Sequence, residues 1–206
     1  MTPVDPKLFD IKKNFSSYST LWNGCMDYIK INCKTDPLYE NYLSIDLDKF
    51  DCFIAMIDQD QIICFGGVEH NPNKWGEEIS RVLTRFWIKP THRTKGLTKW
   101  RSESIKYSPL ILKSQMEFLY NQNKVKSAMI TREGRYKNSF REIIRLANTV
   151  SNYNFYILSN RYNVCEPAHK IPESCQQMVA LCSFTRDTPK SIFARAQSLG
   201  HFKEIV

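Results

Sequence analysis

Between Asp51 and Lys89 the chain holds three strand-like runs in close succession, and this stretch constrains the fold more than any other. DCFIAMID (51–58) and QIICFGGVEH (61–70) are rich in β-branched and aromatic residues and are separated by only two positions. A connection that short joins antiparallel neighbours, so the pair is predicted to be a β-hairpin. A third run, ISRVLTRFWIK (79–89), follows at once and is stopped by Pro90. The chain is therefore committed to a sheet whose first strands are consecutive and antiparallel.

The pattern then alternates. In SPLILKSQMEFLYNQ, Ser108 suits a helix N-cap and Pro109 the first helical position, with Leu112, Met116 and Leu119 at helical spacing. VKSAMIT (125–131) reads as a short buried strand. Ser139 and Glu142 have the spacing of a capping box that opens a helix with Phe140, Ile143, Ile144 and Ala147 inward. NFYILSN (154–160) and QQMVALCSF (176–184) read as two further strands. A last helix runs from Thr188 and Pro189 to Gly200. Before the hairpin, residues 16–33 have Leu21, Met26, Ile29 and Cys33 near one helical face, although Gly24 weakens that helix. The order is α, three strands, α, β, α, β, β, α. This predicts an α/β or α+β fold with a mixed, mostly antiparallel sheet flanked by helices. The strand–helix–strand passage from 79 to 131 should form a parallel crossover.

No repeat, low-complexity tract or linker divides the 206 residues, so one domain over 1–206 is expected. No apolar run approaches the roughly 18–20 residues needed to cross a bilayer. The start, MTPVDPKLFDIKK, lacks the apolar centre of a signal peptide, which leads us to expect a cytoplasmic protein without a membrane partner. Seven cysteines include no CxxC pair, and several lie in apolar runs, where they are expected to act as small buried hydrophobes. Neither they nor the four scattered histidines have metal-ligand spacing, so no metal site is expected.

The net charge of +8 is unevenly placed. Residues 81–145 hold 16 lysines and arginines against 4 acidic residues, a local +12, and the rest of the chain carries −4. A basic middle of this kind suits an anionic partner, either a small phosphate-bearing molecule or a nucleic acid.

The most basic loop follows the third strand directly: WIKPTHRTKGLTKW (87–100). Successive backbone N–H groups around a glycine make a concave anion site, and arginine and lysine add charge-assisted contacts. Arg93-Thr94-Lys95-Gly96-Leu97-Thr98 resembles the (Arg/Gln)-x-x-Gly-x-(Gly/Ala) loop of the GCN5-related N-acetyltransferase (GNAT) superfamily, which follows that family's fourth strand. Thr98 stands where the family has glycine or alanine. The resemblance extends in element order over about 16–160, and in recognisable residues over 79–98. It implies a divergent, phage-type member with a GNAT-like fold, using acetyl-CoA or another acyl-CoA to acylate an amine. Arg93, Thr94, Lys95, Gly96, Leu97 and Thr98 would then hold phosphate, and Phe86, Trp87 and Ile88 would run beside the pantetheine arm. In the family the helix begins at the loop itself. Here either a first helical segment covers 97–106, or TKWRSESIKY is an insertion.

Such chemistry also needs a base for the amine and an acid for the thiolate. Glu69 ends the second hairpin strand on the face of Phe65 and Ile63, which makes it the candidate base; a surface glutamate at a hairpin exit reads equally well. The family often places a tyrosine acid in the helix after its fifth strand; the helix 139–150 holds none, and Tyr136, which precedes it, is the candidate acid, with a simple surface tyrosine as the other reading. Gly66-Gly67 within a strand indicates a bulge, a close ligand approach or tight packing. Trp87 and Trp100 suit either ligand stacking or the core. Two other readings share the fold. One is an enzyme that modifies DNA adenine, like the Mom-type phage proteins, favoured by Lys124, Lys126, Arg132, Arg135, Lys137, Arg141 and Arg145, which a solvated basic helix face explains as well; the other is a non-catalytic nucleic-acid binder that keeps the fold alone, favoured by the altered loop and the helix without tyrosine.

Overall fold

The computed structural model describes residues 7–36, 38–92, 104–133, 137–150, 153–163 and 176–204. They fall into two compact units, Met1–Glu69 with Leu83–Gln115, and His70–Val82 with Met116–Val206. The strands are β1 (Lys7–Asp10), β2 (Cys52–Asp58), β3 (Gln61–His70), β4 (Ile79–Ile88), β5 (Ser127–Glu133), β6 (Tyr156–Asn163), β7 (Gln176–Ser183) and β8 (Lys203–Glu204). The helices are α1 (Phe15–Asn32), α2 (Tyr39–Leu43), α3 (Pro72–Trp75), α4 (Ser104–Gln122), α5 (Lys137–Val150) and α6 (Pro189–Ser198). Strand order is β1-β2-β3-β4 in the first unit and β4-β5-β7-β6-β8 in the second, with β4 contributing to both.

The hairpin forms as the sequence requires. Asp58 pairs with Gln61, and the two turn residues, Gln59 and Asp60, take φ of 45° and 55°. Positive φ at both central positions is the turn whose twist matches the flanking strands. β1 adds an antiparallel edge to β2, from Lys7↔Ile57 to Asp10↔Ile54. In this unit α1 lays Trp22, Cys25 and Ile29 onto Phe53, Ala55, Phe65 and Trp87. The buried stripe centres one position away from the expected Leu21 and Met26, which are only partly buried. Because side chains alternate across a strand, the opposite face of β3 meets α4: Gly66 lies against Ile111, Gln115 and Phe86.

In the second unit the crossover is realised, since β4 pairs with β5 in parallel through Ile79↔Ser127, Ser80↔Ala128 and Arg81↔Met129. β7 lies antiparallel between β5 and β6. The core gathers Trp75, Ile79, Met129, Val179, Leu181, Ile192 and Phe193. The start of α6 matches its sequence signals. The Thr188 hydroxyl accepts from Ser191 N–H at 3.2 Å, Pro189 opens the helix, and Gly200 just beyond its end has φ 89°.

Two helix starts differ from expectation. α4 begins at Ser104, so Pro109 lies inside the helix and Ser108 is a buried helical residue rather than the cap. This agrees with an earlier helical segment before the Ser-Pro pair. Burial of Ile111, Leu112, Met116 and Leu119 outweighs the single hydrogen bond that a proline near a helix start removes. α5 begins at Lys137, which places Ser139 within the helix, and Glu142 binds Arg145 through Oε1 (2.8 Å) instead of closing a capping box. No helix among the described residues is long and apolar enough to cross a membrane.

Candidate functional site

The feature that sets β4 apart is its backbone. Leu83 and Arg85 have φ of 53° and 56°, the left-handed region that branched and long side chains seldom occupy. Each such residue costs of order 1–3 kcal/mol and persists only where its surroundings fix it. Those surroundings are visible. The Leu83 N–H donates to the Gln115 Oε1 at 2.9 Å, the Arg85 guanidinium donates to Asn41 Oδ1 at 2.6 Å, and the Tyr42 hydroxyl donates to the Phe86 carbonyl at 3.4 Å. The parallel ladder to β5 comprises the pairs from Ile79 to Arg81 and does not extend into this stretch. β4 runs on as a strand to Ile88, and side chains of α2 and α4 bond to its left-handed stretch.

Two buried polar groups at this bend lack a partner among the described residues. Gln115 is fully buried and its Nε2 donates to nothing; Thr84, 4% exposed and between the two left-handed residues, has an unpaired Oγ1. Buried donors and acceptors are ordinarily paired, so exceptions mark strain or an absent ligand. Both atoms are closed to solvent, so they mark strain at the bend and not a ligand contact.

The expected site residues are distributed as follows. Phe86 is half-buried with its ring over Gly66, 3.3 Å from the position a Cβ there would take. Trp87 is a core residue, 1% exposed and stacked on Phe65 at 5.2 Å with the rings 21° apart. Ile88 is buried at the end of β4. Glu69 is half-buried at the end of β3. Arg93, Thr94, Lys95, Gly96, Leu97 and Thr98, together with Trp100 and Tyr136, lie outside the described residues. The glycine pair resolves into packing at Gly67, where a Cβ would sit 2.8 Å from Phe50 Cε1 and 2.9 Å from Phe53 Cδ2. Among the basic residues, Lys126 is paired with Glu78 and Arg145 with Glu142, while Arg141 is exposed.

Sequence reasoning passed over His70. Its Nδ1 lies 3.2 Å from the Ile79 carbonyl and 3.1 Å from Ser80 Oγ. A carbonyl only accepts, so this contact assigns the proton to Nδ1 and leaves the Nε2 lone pair available as a base. The reading of histidines by metal-ligand spacing gave no signal for it. Gln115 was also missed, because a glutamine at a helical core position shows its role only when the strand beneath it is known.

No family model matches the sequence, and no curated protein matches it either. Solved structures do match. Aminoglycoside 6′-acetyltransferase type Ii is 8% identical, with a TM-score of 0.50 over 88% of this chain and 99% of that one. The CoA-dependent acyl-homoserine lactone synthase BjaI, solved with MTA, is 10% identical, with a TM-score of 0.50 over 93% of this chain and 89% of that one. At such identities the likeness is one of fold: a mostly antiparallel sheet entered by a hairpin, a β4–α4–β5 parallel crossover and flanking helices, which is a GNAT-like fold.

Proposed function

We propose that this chain is an acyl-CoA-dependent N-acyltransferase that moves an acyl group from the thioester to an amine. The observation that carries the reading is the GNAT-like fold, a hairpin followed by the β4–α4–β5 parallel crossover, together with the Arg-x-x-Gly sequence directly after β4. The names of the two structural neighbours, an acetyltransferase and a CoA-dependent acyl synthase, support the same chemistry. Acyl-CoA, when bound, supplies the activated carbonyl. The chain's own part is to align that carbonyl with the amine and to move protons. Glu69 and His70 are the two base candidates, and Tyr136 remains the proposed acid. Arg93–Thr98 is the proposed phosphate loop, by resemblance of its residues.

Titration of acetyl-CoA into the purified protein tests this. Binding should raise the melting temperature, since a ligand at a hundredfold excess over Kd stabilises by about 2.7 kcal/mol. Gly96→Val should remove that shift, because a branched side chain intrudes where phosphate oxygens approach amides. No shift at about millimolar CoA in low salt, well above the Kd of a working site, would sink the proposal.

A further inference from the structure

A cavity of about 320 Å³ opens in the first unit between α1, the β2–β3 turn and the end of β4. It lies on the face of β4 opposite Gln115 and Phe86, because Trp87, which lines it, packs toward α1 and Phe65. Gly24 is on the helix wall, and a Cβ built there would have nothing within 4 Å, so a larger side chain at this position has room to enter the space.

The lining has a definite chemistry. Leu21, Ile62 and the Tyr28 and Trp87 rings form apolar and aromatic walls. The Lys89 ammonium stands 4.7 Å over the Tyr28 ring and donates to Gln61 Oε1, which occupies one of its three donors. Trp87 is 1% exposed and offers the cavity only a ring face. A half-buried cation beside flat apolar walls selects an anionic acceptor group carried on an apolar body. Asp60, exposed at the rim, disfavours molecules with several negative charges. Cys25 on the wall is not a nucleophile: burial pushes its thiol up to about 12 despite the opposing charge of Lys89, with Cys33 adding to the rise.

We propose that this cavity is a binding site for a singly charged, aryl- or alkyl-bearing carboxylate, received by Lys89 with its apolar part against Tyr28 and Ile62. The site is separate from the bend in β4 and does not depend on acyl transfer.

Phenylacetate is the probe, with phenylacetamide and phenethylamine as neutral and cationic controls, followed by ligand-observed NMR and calorimetry on the full chain. Phenylacetate should bind at least about tenfold more tightly than phenylacetamide, the weight of one charge-assisted hydrogen bond, and phenethylamine should not compete. Gly24→Leu should abolish binding without loss of folding, because leucine favours helix over glycine and fills open space. Lys89→Met should erase the preference for the acid over the amide. Equal binding of acid and amide, unchanged binding in Gly24→Leu, or no phenylacetate signal at about 10 mM would each overturn the proposal.

Discussion

The Leu83 amide donates to Gln115 Oε1 at 2.9 Å, so a strand N–H that would ordinarily pair with a neighbouring strand is held by a helix side chain 32 residues downstream. Gln115 is fully buried, and the bond fixes Leu83 at its φ of 53°. Gln115→Met preserves length and removes the acceptor, leaving a buried N–H unsatisfied at a cost of about 1–3 kcal/mol. Urea denaturation should show that loss with an unchanged m-value. Wild-type stability in Gln115→Met would mean that the left-handed bend is held by other contacts.

Gly67 predicts a different failure. Its neighbours are rings rather than flexible chain ends, with Phe50 and Phe53 within 3 Å of a hypothetical Cβ. Gly67→Ala should therefore destabilise by roughly 1–3 kcal/mol through overpacking, against the usual gain of alanine over glycine in regular structure. Gly66→Ala should be milder, because its nearest atoms lie at 3.3 Å or beyond. A thermal-melting comparison of the two checks the ranking, and reversal would refute the packing account.

Glu78 joins three charged groups in the second unit. Its Oε1 binds Lys126 at 2.5 Å and its Oε2 binds Arg195 at 2.8 Å, while Arg195 also reaches Asp187 at 2.8 Å. The hydrogen bond from Lys126, opposed by burial and reinforced by Arg195, holds the Glu78 carboxyl below the usual carboxylate range. A depressed folded pKa contributes stability that is present above the unfolded value and is lost as pH falls through the folded one. The melting-temperature gap between wild type and Glu78→Gln should therefore be widest near neutrality and close on acidification. It should also narrow with salt, because the partners are half-exposed. A gap that persists at low pH would assign the effect of the substitution to packing.

Glu69 and His70 compete for one role. Glu69→Gln and His70→Gln each keep a polar side chain and remove a base, and the variant that removes the true one should lower kcat by about a hundredfold or more with acyl-CoA binding retained. Loss confined to His70→Gln, with a pH–rate profile that loses its acidic limb, would single out the imidazole. Full activity in both would mean that the amine is deprotonated without either residue.

How much of this was legible beforehand follows from the range over which each interaction acts. The β2–β3 hairpin, the β4–α4–β5 crossover and the α6 start at Thr188-Pro189 were readable because turn length, β-branched runs and caps are local in sequence. The loop Arg93–Thr98, singled out by its resemblance to a family motif, lies outside the described residues. The bend at Leu83 and Arg85 left no trace in RVLTRFW, whose residues favour regular strand; the left-handed geometry is imposed by Gln115 and Asn41, which the chain brings in from 32 and 44 positions away. The start of α4 was left open between Ser108-Pro109 and a segment over 97–106, since Ser-Pro is a good local helix start; α4 runs from Ser104, and burial of the following face carries the helix through the pair. Trp87 was equally suited to a ligand or a core, and its stacking on Phe65 decided for the core. Local propensity fixed which segments became strands and helices. Contacts between distant residues decided where a strand's backbone turns left-handed, which buried polar atoms are left over, and where a cavity opens beside Gly24.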